Sequence, residues 1–268
     1  MARERRGVFG EAVAQYQAAR PGYPEELVTD VLRYAGTVHR ALEVGAGTGK
    51  GTVAFARRGV NLTCLEPDPR MAAELARQCA TFPSVDVVVA PFETWEPSER
   101  FDVLLAAQSW HWVDDNVRWD LARTALKEGG AMALFWNVYT LTDVLTRDAL
   151  LDIDRRYQVD ALGHTPSDSP FHDFDGEIEL TEGWPAFDLA DDARFTDFIS
   201  RRYRREQRFS TALYLDFLSS LSAYRMIDDD QRNALLRDVA RVLERRGGTV
   251  SLRIATDLFM CRVHEGRK

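Results

Sequence analysis

The sequence predicts a doubly wound α/β fold on a seven-stranded, mostly parallel sheet with helices on both faces. Three observations predict it. Short apolar runs alternate with helical segments between residues 40 and 136, and such alternation sets parallel strands between crossover helices. The first run, Ala41 to Val44, breaks into glycines at 45, 47, 49 and 51, as a buried strand does when it turns sharply into a helix. An acid, Glu66, closes the next apolar run.

Each element follows from local signals. Pro24 at a first helical position, Glu25 and Glu26 in the first turn, apolar Leu27, Val28, Val31 and Leu32, and Gly36 as a stop specify a helix ahead of the first strand. Strands are then expected over 40–45, 61–66, 85–90, 101–107 and 130–136, and helices over 50–58, 68–80 and 115–127. From residue 138 to 195 the alternation stops. Leu141, Val144, Leu145 and Ala149 at helical spacing give way to His164, Pro166, Pro170 and Gly176, read as an inserted helix and a loop-rich cover on the substrate side. Strand, helix, helix and strand over 196–208, 210–221, 228–246 and 249–263 close the sheet. The expected organisation is one domain over 1–268, with a lid and first helix in 1–36 and the cover in 138–195.

With 268 residues, 45% of them hydrophobic, the chain can bury a full core. A net charge of −8 disfavours nucleic acid, whose binding rests on basic surface releasing counterions. No apolar run is long enough for a membrane span, and the opening MARERRGVFG has no apolar export region, so a cytoplasmic protein is expected. Cys64, Cys79 and Cys261 have no ligand-like spacing, and neither a disulfide nor a metal is expected.

The glycines permit positive φ and bring backbone amides within reach of a ligand. Glu66, at the end of the next strand, is placed to accept hydrogen bonds from a ribose diol, so the pair describes a nucleoside crevice. The dinucleotide fingerprint fails, because its third glycine falls on Lys50 counted from Gly45 and on Thr52 counted from Gly47. The P-loop pattern fails too, since Gly49-Lys50 is followed by Gly51 and the position five before Gly49 is Val44. Glu43 inside the motif would repel a pyrophosphate and attract a sulfonium or ammonium. A cationic nucleoside remains.

The run LEVGAGTGKGT, then LEPDPRM, then FDVLLAAQSWHWVD resembles the class I S-adenosylmethionine-dependent methyltransferases. Tyr16 followed by Arg20-Pro21-Gly22-Tyr23-Pro24 is similar to the opening of their small-molecule branch, which includes trans-aconitate-type methyltransferases. The resemblance runs nearly end to end. It implies a Rossmann-like fold, S-adenosyl-L-methionine as cofactor, and methylation of a small molecule, with oxygen of a carboxylate or hydroxyl preferred over carbon or nitrogen. A nicotinamide-dependent oxidoreductase and a non-catalytic nucleoside-binding scaffold are the readings it competes with.

On this resemblance Gly45, Ala46 and Gly47 meet the methionine part of the cofactor, Glu66 holds the ribose hydroxyls, Ala90, Phe92 and Glu93 are the adenine candidates, Phe92 with the core as its alternative, and Thr48, Pro67 and Gln108 complete the cofactor site. Glu43 orients the loop amides. Tyr16 and Arg20 fold over the cofactor, where an Arg can clamp a carboxylate through two parallel hydrogen bonds. His111, at the carboxyl end of the fourth strand, is the candidate catalytic residue, as a base or as a group that positions a carboxylate. Tyr23, Trp110, Trp112, Trp136 and Tyr224 are expected to line the substrate pocket, with the core as the competing place for Trp110 and Trp112, where aromatics at such spacing more often lie. The run Arg201-Arg202-Tyr203-Arg204-Arg205 falls on the edge strand of the family's sheet, where charge blocks edge-to-edge pairing. Oligomeric state is open.

Overall fold

The computed structural model describes residues 13–178, 189 and 192–264. In chain order its elements are α1 (Val13–Ala19), α2 (Glu25–Ala35), β1 (Ala41–Val44), α3 (Lys50–Ala56), β2 (Leu62–Leu65), α4 (Pro69–Gln78), β3 (Val85–Val88), β4 (Phe101–Ala107), α5 (Arg118–Ala125), β5 (Leu126–Leu141), α6 (Val144–Arg156), β6 (Gly176–Glu177), β7 (Phe195–Ser210), α7 (Thr211–Ser220), α8 (Ser222–Met226), α9 (Asp229–Arg245) and β8 (Thr249–Val263). Part of the expected 1–36 and 138–195 segments lies outside the described residues.

The strands form one sheet in the order β3-β2-β1-β4-β5-β8-β7-β6. The pairs joining β3, β2, β1, β4 and β5 are parallel, whereas β6 and β7 pair antiparallel. The sheet is therefore mixed and eight-stranded, not seven-stranded. The extra strand is the two-residue β6, too short to carry an alternation that could be read in the sequence.

The chain divides into two compact units. One comprises Gly22–Trp136, Asp175–Tyr203 and Thr256–Lys268. Here successive strand residues enter opposite apolar clusters: Leu42, Val44, Leu104 and Ala106 join one, and Ala41, Val103 and Leu105 the other. Both faces of these strands are thus buried, which is why they read as continuous apolar runs. The helices around them start and stop on local chemistry. Asp68 caps α4 by accepting from the Arg70 amide at 2.9 Å, with Pro69 at the first position, and Gly36 ends α2 with a φ of 79°.

The other unit comprises Met1–Pro21, Asn137–Phe174 and Arg204–Ala255. Its core gathers Leu150, Ile153, Phe217, Leu218, Leu235, Val239 and Leu243 from α6, α7 and α9. The expected helix after β5 is present, but on a different face. Val144 and Leu145 are 56% and 66% exposed, while Leu150 and Ile153 are buried. The cause is where the helix begins: β5 runs on to Leu141, and Asp143 caps α6 by accepting from the Thr146 amide at 2.7 Å. Leu141 therefore belongs to a strand and sets no helical phase.

The arginine run also departs from expectation. β7 is not the outermost strand, because β6 lies beyond it, and its charges are used in specific pairs. Arg202 forms a buried fork on Asp257, with Nε donating to Oδ1 at 2.5 Å and Nη2 to Oδ2 at 2.7 Å. Arg201 and Tyr203 both donate to Asp30 Oδ2 at 2.7 Å. Among the described residues no helix is long and apolar enough to cross a membrane.

Removing one partner of a buried pair strands the other charge at a cost of about 3–5 kcal/mol. Asp257→Ala is therefore expected to lose about that much stability in urea unfolding, and the Arg202→Met/Asp257→Leu double variant to recover most of it.

Candidate active site

Within the Gly22–Trp136 unit the strand order reverses direction between β1 and β4, the position at which open α/β sheets form a ligand crevice beyond the strand ends. Four segments follow the carboxyl ends of β1 to β4 there, 45–49, 66–68, 90–93 and 108–112, and beside the last of them Trp136 continues β5 past its pairing with β4, which ends at Phe135.

The bend after β1 is shaped by close packing. Gly45, Gly47 and Gly49 all have positive φ, at 66°, 60° and 91°. A Cβ on Gly45 would lie 2.5 Å from Ser109 Cβ, so this glycine is forced by the β4 exit behind it. Gly47 differs: a Cβ there would meet only Met71 Cε, at 3.6 Å. Its smallness is thus not demanded by the protein's own packing, and its left-handed backbone turns its amide onto Glu66. Ser109 holds β1 and β4 together as well, donating from Oγ to the Val44 carbonyl.

Glu66 braces the same bend. Its Oε2 accepts from the Gly47 amide at 2.8 Å and its Oε1 from the Asp68 amide at 2.9 Å. Both carboxylate oxygens of this buried acid, 7% exposed, are thus used to fix the loop. Ala46 is tied to β2 by its amide on the Leu65 carbonyl at 3.0 Å. Thr48 is fully buried, and Pro67 is half-buried beside Glu66.

Glu43 does not orient the loop amides, and this corrects its expected role. It is fully buried, and Oε2 accepts from Thr52 Oγ1 at 2.5 Å with Cys64 Sγ 3.9 Å away. Glu43 Oε1 has no hydrogen-bond partner. A Cβ on Gly51 would lie 2.4 Å from that oxygen, so Gly51 makes room for the acid and not for a ligand. Burial, with the Glu66 charge adding to it, raises the Glu43 carboxyl to about 7, against the lowering from Thr52 and Cys64. Fully enclosed, Glu43 cannot touch a sulfonium. Thr52 and Ser109 are the positioning residues that sequence reading missed; asking what a buried Glu43 must bond to, one turn into the following helix, would have found Thr52.

After β3, the Ala90 amide bonds the Val88 carbonyl at 3.1 Å, and Glu93 Oε1 accepts from the Asp114 amide at 3.3 Å. Phe92 packs into the core against Trp110, ring centroids 6.1 Å apart. Trp110 is corrected from pocket wall to core: it is completely buried and packs on Trp119 at 5.2 Å as well as on Phe92. Gln108 leaves β4 with a φ of 57°, a left-handed conformation that non-glycine residues adopt mainly where the surroundings impose it. Its amide is fixed on the Phe135 carbonyl at 2.9 Å, and the edge of Tyr23 packs on the Phe135 ring at 4.7 Å.

The turn then carries His111 outward. His111 is exposed, its ring lies 4.6 Å from that of half-buried Trp112, and its Nδ1 accepts from Trp136 Nε1 at 3.4 Å. The structure therefore groups Gly45, Ala46, Gly47, Glu66, Pro67, Ala90, Glu93, Gln108, His111 and Trp112 at the strand ends of one unit, with Trp136, which lies within β5 and does not end it, reaching His111 from the side. Among the described residues no group of three or more His, Cys, Asp or Glu is arranged to hold a metal ion.

Tyr16, Arg20 and Tyr224 belong to the other unit. Arg20 donates from Nε to Ser220 Oγ at 2.8 Å and from Nη2 to the Ser220 carbonyl at 2.9 Å, with the Tyr16 ring 5.0 Å from its guanidinium. Tyr224 is corrected from pocket wall to core, because it is 1% exposed and its hydroxyl donates to Asp154 Oδ1 at 2.9 Å.

Residues 41–130 match the family model described as a methyltransferase domain. An uncharacterised methyltransferase of Mycobacterium tuberculosis is 35% identical over 130 residues, 48% of this chain and 51% of that protein; the match thus spans about half the length of that relative. A candidate type II methyltransferase from Anaeromyxobacter dehalogenans shares the fold with a TM-score of 0.59 at 20% identity, over 91% of this chain and 98% of that one. A Thiobacillus denitrificans S-adenosylmethionine-dependent methyltransferase, solved with S-adenosyl-L-homocysteine, aligns over 98% of this chain and all of that one with a TM-score of 0.52 at 15% identity.

The raised Glu43 carboxyl fixes a pH dependence. Unfolded, the group titrates near 4.5; folded, near 7. Between these values the native state holds a proton that the unfolded state has lost, so the Glu43 contribution to stability falls as pH rises through this window. The ligand-free wild type is expected to lose more melting temperature from pH 5 to 7.5 than Glu43→Gln, which stays neutral and can keep the Thr52 contact. Parallel curves in differential scanning calorimetry would contradict this.

Proposed function

We propose that this chain is a methyltransferase that uses S-adenosyl-L-methionine to methylate a small molecule, on oxygen of a carboxylate or hydroxyl. One observation carries the reading: Glu66 is held at the carboxyl end of β2 by the amides of Gly47 and Asp68, with an uncrowded left-handed glycine beside it. This suits a ribose diol next to a nucleoside's charged tail. The family match over 41–130 and the fold shared with an S-adenosylhomocysteine complex support the same cofactor.

The cofactor supplies a methyl group already activated by a positive sulfur. What falls to the protein is alignment and exclusion of water. Gly45 to Gly47 present backbone to the ligand, Glu66 sets its ribose, and Ala90, Glu93 and Gln108 form the wall beside it. His111 and Trp112, with Trp136 beside them, occupy the acceptor's side of this arrangement. A net charge of −8 favours a small acceptor over nucleic acid, and a cytoplasmic setting is in keeping with buried, unpaired cysteines.

Loss of the hydrogen bonds made to Glu66 is expected to weaken binding of S-adenosylmethionine and S-adenosylhomocysteine by about 1–3 kcal/mol in Glu66→Ala. Calorimetric titration measures this, and NAD titrated in parallel is expected to give no saturable heat. Equal affinity in wild type and variant would remove the ribose assignment. For the acceptor, methyl-labelled cofactor incubated with matched short-chain acids and alcohols distinguishes the two oxygens. Esters release labelled methanol in base and ethers do not; if no label reaches either series, oxygen methylation is excluded for acceptors of this size.

A further inference from the structure

β4 and β5 run parallel, with Ala107 registered against Phe135, so the next residues of the two strands, Gln108 and Trp136, leave the paired region at the same level. The left-handed turn at Gln108 then swings the following segment, and His111 comes back over β5 to meet the Trp136 indole. An indole N–H can only donate, so the Nδ1 it faces must carry a lone pair. The hydrogen bond on one imidazole nitrogen decides the state of the other: a neutral His111 with Nδ1 as acceptor bears its proton on Nε2.

This decides between the two roles open to His111. A general base needs a lone pair that faces the substrate, and here Nε2 is protonated while the Nδ1 lone pair is taken by the indole. Forming the imidazolium would set an Nδ1–H against the indole N–H and lose the bond. We propose that Trp136 is a positioning residue that holds His111 as an Nε2–H hydrogen-bond donor, so that the site selects an acceptor whose oxygen is already anionic, a carboxylate, over one that must be deprotonated.

This rests on the methyltransferase reading given above. In the step it implies, a carboxylate oxygen lone pair forms the O–CH₃ bond and the S–CH₃ pair stays on sulfur. The negative and positive charges cancel, and no proton moves. His111 holds the carboxylate by the oxygen that becomes the ester carbonyl.

The test reads the imidazole directly, in the full chain. Long-range ¹⁵N–¹H correlation spectra of wild type and Trp136→Phe are recorded from pH 5.5 to 8.5, with His111→Asn assigning the His111 signals among the five histidines. In the wild type the neutral form is expected to be predominantly Nε2–H, and more so than in Trp136→Phe. Its titration midpoint is expected about 0.4–1 pH unit below that of Trp136→Phe, the equivalent of one net hydrogen bond. The Trp136 indole proton should shift with the same midpoint in the wild type, a readout that needs no variant. An Nδ1–H tautomer, equal midpoints in the two proteins, or an indole signal blind to His111 titration would each overturn the proposal. Methyl transfer to alcohols but not to acids while the tautomer result stands would overturn the carboxylate selectivity, whereas absence of S-adenosylmethionine binding would overturn the methyltransferase reading itself.

Discussion

The bend between β1 and α3 has to keep side chains away from a strand end, and the Glu66 carboxylate is what holds it there. By taking the Gly47 amide on one oxygen and the Asp68 amide on the other, Glu66 ties the exit of β1 to the exit of β2 and to the start of α4. Asp68 in turn caps that helix. One side chain thus sets the geometry of two consecutive βα turns, and charge-assisted bonds of this kind are about twice as strong as neutral ones. The same geometry would bind a diol, so the loop is organised before a ligand arrives and little ordering is left to be done on binding.

Beneath the bend, the protein tolerates a second carboxyl without a charged partner. Glu43 is enclosed by Thr52, Cys64 and Gly51, and burial is the largest influence on it, raising it to about 7. An unpaired carboxylate there would be costly; as a neutral acid it links β1 to α3 at little cost. The two acids of the motif consequently have separate tasks. Glu66 is at the surface of the crevice and holds amides, and Glu43 is in the core and holds the helix.

Much of this was legible in the sequence because the signals were local. The glycines, Glu66, and the capping pattern at Pro24 and Asp68 each act within a few residues, and the elements from β1 to β4 begin and end within a few positions of where their composition puts them. Legibility failed where a nonlocal contact decides. Leu141 reads as helical by spacing yet extends β5, and a two-residue strand such as β6 has no pattern to detect. Trp110 and Tyr224 are aromatic residues whose polar atoms suggest a pocket. Both are buried, Trp110 against Phe92 and Trp119 and Tyr224 in the helical core with its hydroxyl on Asp154, and Phe92 and Asp154 are too far away in sequence to leave a local signal. Gln108 carries no composition signal at all, since a positive φ at glutamine is imposed by the packing of Ser109 under Gly45 and by the bond to Phe135.

The same reasoning explains why His111 is better understood through its neighbour than through its own titration. At an exposed position a lone imidazole exchanges between tautomers and between charge states near neutral pH. A tryptophan indole is a donor in every state, so it biases the imidazole in one direction over the whole pH range in which the protein is folded. Methyl transfer from a sulfonium to a carboxylate begins with opposite charges and ends with none. A cationic His111 would stabilise the anion before reaction more than after it, and would raise the barrier. A neutral donor would fix the carboxylate's position while taking little from its nucleophilicity, which makes the Trp136 contact consistent with the proposed chemistry and not merely with the packing.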